Sequence, residues 1–332
     1  MWCPRVGGYG LNPAEFLSEA GLTIVAGKGG VGKTAVTAAM AVAASRAGLR
    51  TLVVEVEGKD AMASMFETGG LSYEELELVA AAEAHAGVRA RTLTPDDALL
   101  DYLADRGFQR ISNRLVGSGL LDIIATAVPG IRDILVLGKV KQLERSGQQD
   151  LIILDAPAAG HAISFLRSAR GLADAVRAGP IRAQADEVLE LLGDAKRCRV
   201  VLVTLPEETP VNELIETAFS LEDDVGVSLG PVVVNGVYPP LEGLEVPAAE
   251  AAASAGVHLL EGEADLLDSA AAFRSARRGI QDAQLERMAE VLPLPQVHLP
   301  HLFTTGVDRG DLEVLADALI EGIGALEAGA GA

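Results

Sequence analysis

The chain predicts an α/β fold: a doubly wound, mostly parallel sheet with an inserted helical subdomain. Three observations carry this expectation. Apolar runs of strand type recur with helical segments between them. A glycine- and lysine-rich octapeptide joins the first run to an alanine-rich helical stretch. The interval between the second and third runs is too long for a single crossover.

In chain order, the first strand is the apolar run Leu22–Ala26, followed by the octapeptide at 27–34 (GKGGVGKT) and a helix over 34–47 (TAVTAAMAVAASRA). The second strand is 50–56 (RTLVVEV), a β-branched run of the kind buried on both faces of a parallel sheet. Three more strands follow at 150–154 (DLIIL), 199–204 (RVVLVT) and 231–235 (PVVVN), with helical segments between. Residues 18–57 and 148–328 are thus read as one discontinuous core, 58–147 as a helical insertion, and 1–17 as an N-terminal extension. Within the insertion, 95–103 and 108–137 alternate apolar clusters with single charges, and 119–137 is unusually apolar. It reads as a helical pair packed on itself or as an apolar surface for a partner. Residues 241–275, rich in Ala and Glu, read as peripheral helices. The tail at 311–326 has Leu312, Leu315, Leu319 and Ile323 at helical spacing.

Composition narrows the function. The 332 residues are 49% hydrophobic and only 4% aromatic, so the core is built from aliphatic side chains. A net charge of −20 repels phosphate backbones and argues against nucleic acid as a partner. Cys3 and Cys198 are the two cysteines, with no C-x-x-C, so neither a disulfide framework nor zinc is expected and a reducing cytoplasm is the natural compartment. Residues 1–20 do not read as a signal peptide, and no uncharged run is long enough to span a bilayer.

The octapeptide fits the phosphate-loop spacing G-x-x-x-x-G-K-[ST] and adds a second lysine, Lys28, after its first glycine. Gly27, Gly29, Gly30 and Gly32, with Val31 among them, let backbone N–H groups turn towards phosphates. Lys33 can reach the β- and γ-phosphates, and the Thr34 hydroxyl can ligate Mg²⁺. A plain glycine turn would explain the glycines but not a Lys-Thr pair at that offset.

In a doubly wound sheet, ligands sit at the carboxyl ends of the strands, where Gly27, Glu57, Asp155, Glu207 and Asn235 fall. Asp155 is expected to hold Mg²⁺ directly or through water; its alternative is a helix cap. Glu57 can orient a water in line with the γ-phosphate and accept its proton, or it is a solvated loop acid. Gly160 and His161 lie in a loop of small residues (DAPAAGH) that can sense the γ-phosphate. Asn235 offers a paired donor and acceptor to an adenine edge, and Pro300, His301, Leu302 and Phe303 (in LPHLF) offer the base an apolar wall.

Together these residues resemble the ArsA family of ATPases, which includes the arsenite-pump ATPase and the ATPase that delivers tail-anchored membrane proteins. The resemblance covers roughly 20–325. GKGGVGKT matches the family's deviant Walker A, whose signature lysine corresponds to Lys28 and reaches the partner subunit's nucleotide. A dimer with ATP at its interface is therefore implied. DAPAAGH matches D-T-A-P-T-G-H, VPGIRD resembles P-G-x-x-E, and Glu207 looks like the family's interface glutamate. Asn235 matches its adenine-contacting asparagine, and LPHLF falls at its adenine loop. EVEGKDAM and PGIRDILVLGKVK look most like a single-module actinobacterial branch that often occurs as two related subunits.

Two departures stand out. The family's first switch commonly reads D-P-A-H, where this chain has Glu57-Gly58-Lys59-Asp60. The cysteines that bind zinc or arsenite in other branches are missing.

The resemblance implies an Mg-dependent ATP/ADP switch in a homodimer or heterodimer, holding an apolar client or a membrane-associated protein. It would be cytoplasmic, with peripheral membrane association as an option. The alternatives are an ATP-binding regulatory subunit of a heterodimer and, further off, the ATPase subunit of an anion export pump.

Overall fold

The computed structural model describes residues 11–56, 61–105, 130–157 and 159–326. Its first half runs α1 (Pro13–Ser18), β1 (Leu22–Ala26), α2 (Lys33–Arg46), β2 (Thr51–Val56), α3 (Ala61–Met65), β3 (Leu76–Val79), β4 (Val88–Leu93), α4 (Pro95–Asp105) and α5 (Ile131–Ser146). Then follow β5 (Leu151–Asp155), α6 (Ala159–Ala175), α7 (Pro180–Gly193), β6 (Cys198–Thr204), α8 (Glu208–Ser220) with a π-helical turn (Leu221–Val225), and β7 (Val232–Val237). The chain closes with α9 (Ala248–Ala255), α10 (Glu263–Val291), β8 (Gln296–Pro300) and α11 (Arg309–Ala325).

The strands form one eight-stranded sheet in the order β3-β4-β2-β5-β1-β6-β7-β8, parallel except for β3. β1, β2, β5 and β6 are buried at every residue, which is why they read as continuous apolar runs. Apolar residues on the two faces form separate cores. One packs α2, α3 and α11 against the sheet, and the other packs α5, α6, α7 and α8. α2 is buried on nearly every side from Ala35 to Ser45, and its alanines let α11 close over it. Leu312, Leu315, Leu319 and Ile323 of α11 all face that core, as their spacing predicts.

The interval 58–147 departs from a wholly helical reading. Residues 76–93 supply β3 and β4, and β4 adds to the core sheet beside β2 in register from Thr51↔Val88 to Val56↔Leu93. The strand was hidden because β4 (VRARTL) carries Arg89 and Arg91 within its alternation. Arg91 is nevertheless buried, its guanidinium 4.2 Å from the Tyr73 ring centroid. The helix expected from Pro95 is present as α4, whereas 106–129, including part of the apolar stretch at 119–137, lies outside the described residues. β8 was likewise unforeseen, and β7 runs two residues past Asn235. No helix among the described residues is long and apolar enough to cross a membrane.

Candidate functional site

The central strand order β5-β1-β6-β7 brings four sequence-predicted positions to one edge of the sheet: Asp155 at the end of β5, Gly27 after β1, Glu207 after β6 and Asn235 in β7. Between β1 and α2 the loop presses against its neighbours. A Cβ on Gly27 would lie 2.3 Å from the Val203 carbonyl oxygen on β6, so the backbone can pass there only without a side chain. Gly32 has φ +89°, and a Cβ on it would meet the Asn235 amide nitrogen at 2.3 Å. Gly32 is also the N-cap of α2 and supplies no side-chain cap, so the first N–H groups of the helix have no intrahelical partner. Such a terminus favours an anion.

The lysines and oxygens are ordered around this loop. Lys33 is buried to 7% exposure, and its Nζ donates to the Lys28 carbonyl at 3.0 Å, curling the side chain back over the loop. The Thr34 hydroxyl donates to Asp155 Oδ2 at 2.7 Å, and Asp155 is fully buried. Asn235 Nδ2 donates to the Val31 carbonyl at 3.0 Å. The register of β7 shifts between Val234 and Val237, and this irregularity at Asn235-Gly236 faces the loop. Lys28 points the other way, to an ion pair with Glu213 of α8.

Further along the edge, Glu207 stands at the N-cap position of α8 without a side-chain capping bond and pairs instead with Arg277 of α10. The His301 and Phe303 rings, with centroids 4.7 Å apart, meet edge to face, and Tyr238 lies 4.7 Å from His301. The Arg274 guanidinium sits 5.4 Å from both the Tyr238 and Phe303 centroids. Burial, then the charges of Arg277 and Arg274, hold the His301 pKa below its ordinary 6.5. Pro300 ends β8, and Leu302 is half-buried against the α2 core.

Glu57 lies outside the described residues, as do Gly58, Lys59 and Asp60. The backbone of Gly160 and His161 forms the first turn of α6. Other residues along this edge escaped the sequence reading. Glu55, a buried acid inside β2, stands in register with Asp155, and a carboxylate within a β-branched run was its only signal. Glu213 and the arginines of α10 gave none, because their partners are distant in the chain.

A glycine-rich loop of this shape between β1 and α2 of a mostly parallel sheet defines a P-loop nucleotide-binding protein. The family model described as anion-transporting ATPase matches residues 21–178. The chain is 32% identical to ATPase BagA of Mycobacterium tuberculosis, over 95% of this chain and 97% of that protein. It is 26% identical to an arsenical pump-driving ATPase of Escherichia coli, over 65% of this chain and 39% of that protein. It is also 28% identical to ATPase get3 of Schizosaccharomyces japonicus, over 43% of this chain and 42% of that protein. The chain belongs to the ArsA family of anion-transporting ATPases and is an ATP-binding, ATP-hydrolysing enzyme.

Proposed function

We propose that the chain is one half of a dimeric ATP switch, as a homodimer or with a related subunit, that couples turnover to its hold on an apolar client or membrane-associated protein. The observation that carries the reading is the loop itself: an uncapped helix terminus, a cradle that side chains would fill, and a lysine at either end. Gly27 to Thr34 would wrap the phosphates, with Lys33 on the β- and γ-phosphates. Thr34 and Asp155 offer a hydroxyl and a carboxylate oxygen 2.7 Å apart, a donor set that suits a hard divalent cation. Mg²⁺ held there would neutralise charge on the transferring phosphoryl group.

Around this centre, Glu57 would orient the attacking water, and Gly160 and His161 would register loss of the γ-phosphate. Asn235, Pro300, His301, Leu302 and Phe303 would hold the base, with Glu207 at its side. Lys28 would reach across to the partner subunit's nucleotide. The client reading is supported by an apolar cavity of about 150 Å³ between α4, α5 and α7, lined by Leu99, Tyr102, Ile131, Ile134, Leu135 and Ile181. The enzyme would work in the cytoplasm.

Light scattering coupled to chromatography tests the switch, comparing ADP, a nonhydrolysable ATP analogue, and ATP on the Glu57→Gln variant. The analogue and the variant with ATP are expected to give a dimer that ADP loosens. A monomer in every condition, at concentrations above cellular, removes the homodimeric switch. A dimer gained only on adding a related subunit moves the reading to a heterodimer.

A further inference from the structure

β2 reads TLVVEV and is buried at every residue, yet Glu55, 1% exposed, sets a carboxylate among aliphatic neighbours. Burying an acid is costly unless something close by compensates its charge. Alternation along the strand fixes where the carboxylate points. Val53 belongs to the core beneath α2, whereas Leu52, Val54 and Val56 belong to the core beneath α5 to α8. Glu55 therefore faces α2.

Its ladder partner on β5 is Asp155, which faces the same way, because Thr34 of α2 donates to it at 2.7 Å. Paired residues on neighbouring strands stand about 4.8 Å apart with their side chains on one face, so the two buried acids are side by side. On the other side, Glu55 is paired with Thr92 of β4, whose hydroxyl is buried without a hydrogen-bond partner and so does not engage the carboxylate. Arg91, also on β4, is in register with Val54 and falls on the opposite face.

Two carboxylates set together in an apolar layer repel one another unless they share a cation. Several oxygens with excess negative charge are what a hard divalent ion takes, and Thr34 with Asp155 already offers such a donor set. β2 lies one strand further from β1 and the phosphate loop than β5 does. Glu55 is thus placed behind Asp155, where a carboxylate serves a metal by accepting from its bound water.

We propose that Glu55 is the second carboxylate of the metal site: beside Asp155, it accepts from water bound to Mg²⁺ and adds the negative charge that retains the ion. The proposal rests on the reading above, in which Thr34 and Asp155 take the metal, and deepens it. Glu55 is a positioning residue, and its work is separate from that of Glu57, which would orient the attacking water.

Calorimetric titration of the full chain with ADP tests this, once with Mg²⁺ and once with a chelator. Glu55→Gln keeps the shape and removes the charge, and Glu55→Val restores the aliphatic pattern of the strand. In both, ADP is expected to bind about tenfold or more weakly with Mg²⁺, and no more weakly with chelator. The rise in melting temperature that Mg²⁺ adds to the ADP-bound protein is expected to shrink in parallel. An acid with a purely structural role would move the melting temperature without Mg²⁺ and leave that rise intact.

Mg²⁺-dependent ADP binding unchanged in both variants overturns the proposal, as does an equal loss with Mg²⁺ and with chelator. If Glu55→Gln fails to fold, Glu55→Val decides alone. Asp155→Asn separates this role from the reading beneath it. Mg²⁺ dependence lost in Asp155→Asn but kept in both Glu55 variants leaves the metal site standing without Glu55. No Mg²⁺ dependence in the unaltered protein removes both.

Discussion

At the scale of single residues, Lys28 and Lys33 separate in role through what each one touches. Lys33 is folded over the loop and buried, but Lys28 is 41% exposed and held by Glu213 of its own chain. If Lys28 serves a partner subunit's nucleotide, the Glu213 pair must break first. Glu213→Gln is therefore expected to lower KM for ATP severalfold in steady-state kinetics. Its effect on stability should stay within about 1 kcal/mol, as for a partly exposed ion pair. A KM unchanged or raised would show that Glu213 does not compete for Lys28. The phosphate loop was legible because its backbone needs glycines at fixed offsets, which the chain spells out. Glu213 was not, since nothing local marks which acid a lysine meets across 185 positions.

At the scale of elements, α10 fastens the loop after β7. Gln281, 2% exposed, accepts from the Tyr238 N–H at 2.8 Å and donates to the Gly236 carbonyl at 3.0 Å. Gln281→Ala strips two partners from loop backbone and is expected to cost about 1–3 kcal/mol in chemical denaturation. It should also raise KM for ATP more than it lowers kcat, because the Tyr238–His301 contact depends on that loop. An unaltered denaturation midpoint would mean the loop holds itself. The elements legible in sequence were those with one dominant environment: β1, β2, β5 and β6, buried on both faces, and α11, amphipathic. β4 and β8 were missed because their polar residues find partners only in the assembled sheet. Arg91 on the Tyr73 ring and Gln296, which donates to the Leu285 carbonyl of α10, are examples.

For the whole molecule, several shifted groups pull stability in one direction with pH. Asp150 is held below its usual 3.8 by the hydrogen bonds and charge of Arg50, and Glu187 below its usual 4.5 by Lys141. Burial lowers His298, and burial with two arginines lowers His301. In each case the unfolded chain binds protons more readily than the folded one. The contribution is thus present in full above the unfolded pKa and lost as pH falls through the folded one. The melting temperature is expected to decline from about pH 6.5 as the histidines begin to titrate, and more steeply below about pH 4.5 as the carboxylates follow. Calorimetry across that range checks this, and a flat or rising profile would contradict it.

The near-total burial of α2 has a mechanical consequence. The helix that begins at the phosphate loop is enclosed by the sheet on one side and α11 on the other. Its far end is pinned by Arg46 to Glu313 and Asp317. It is an anvil and cannot be a lever. Whatever travels when phosphate leaves must be borne by segments hung from the other strand ends, while α2 stays as the fixed frame against which their strokes are measured.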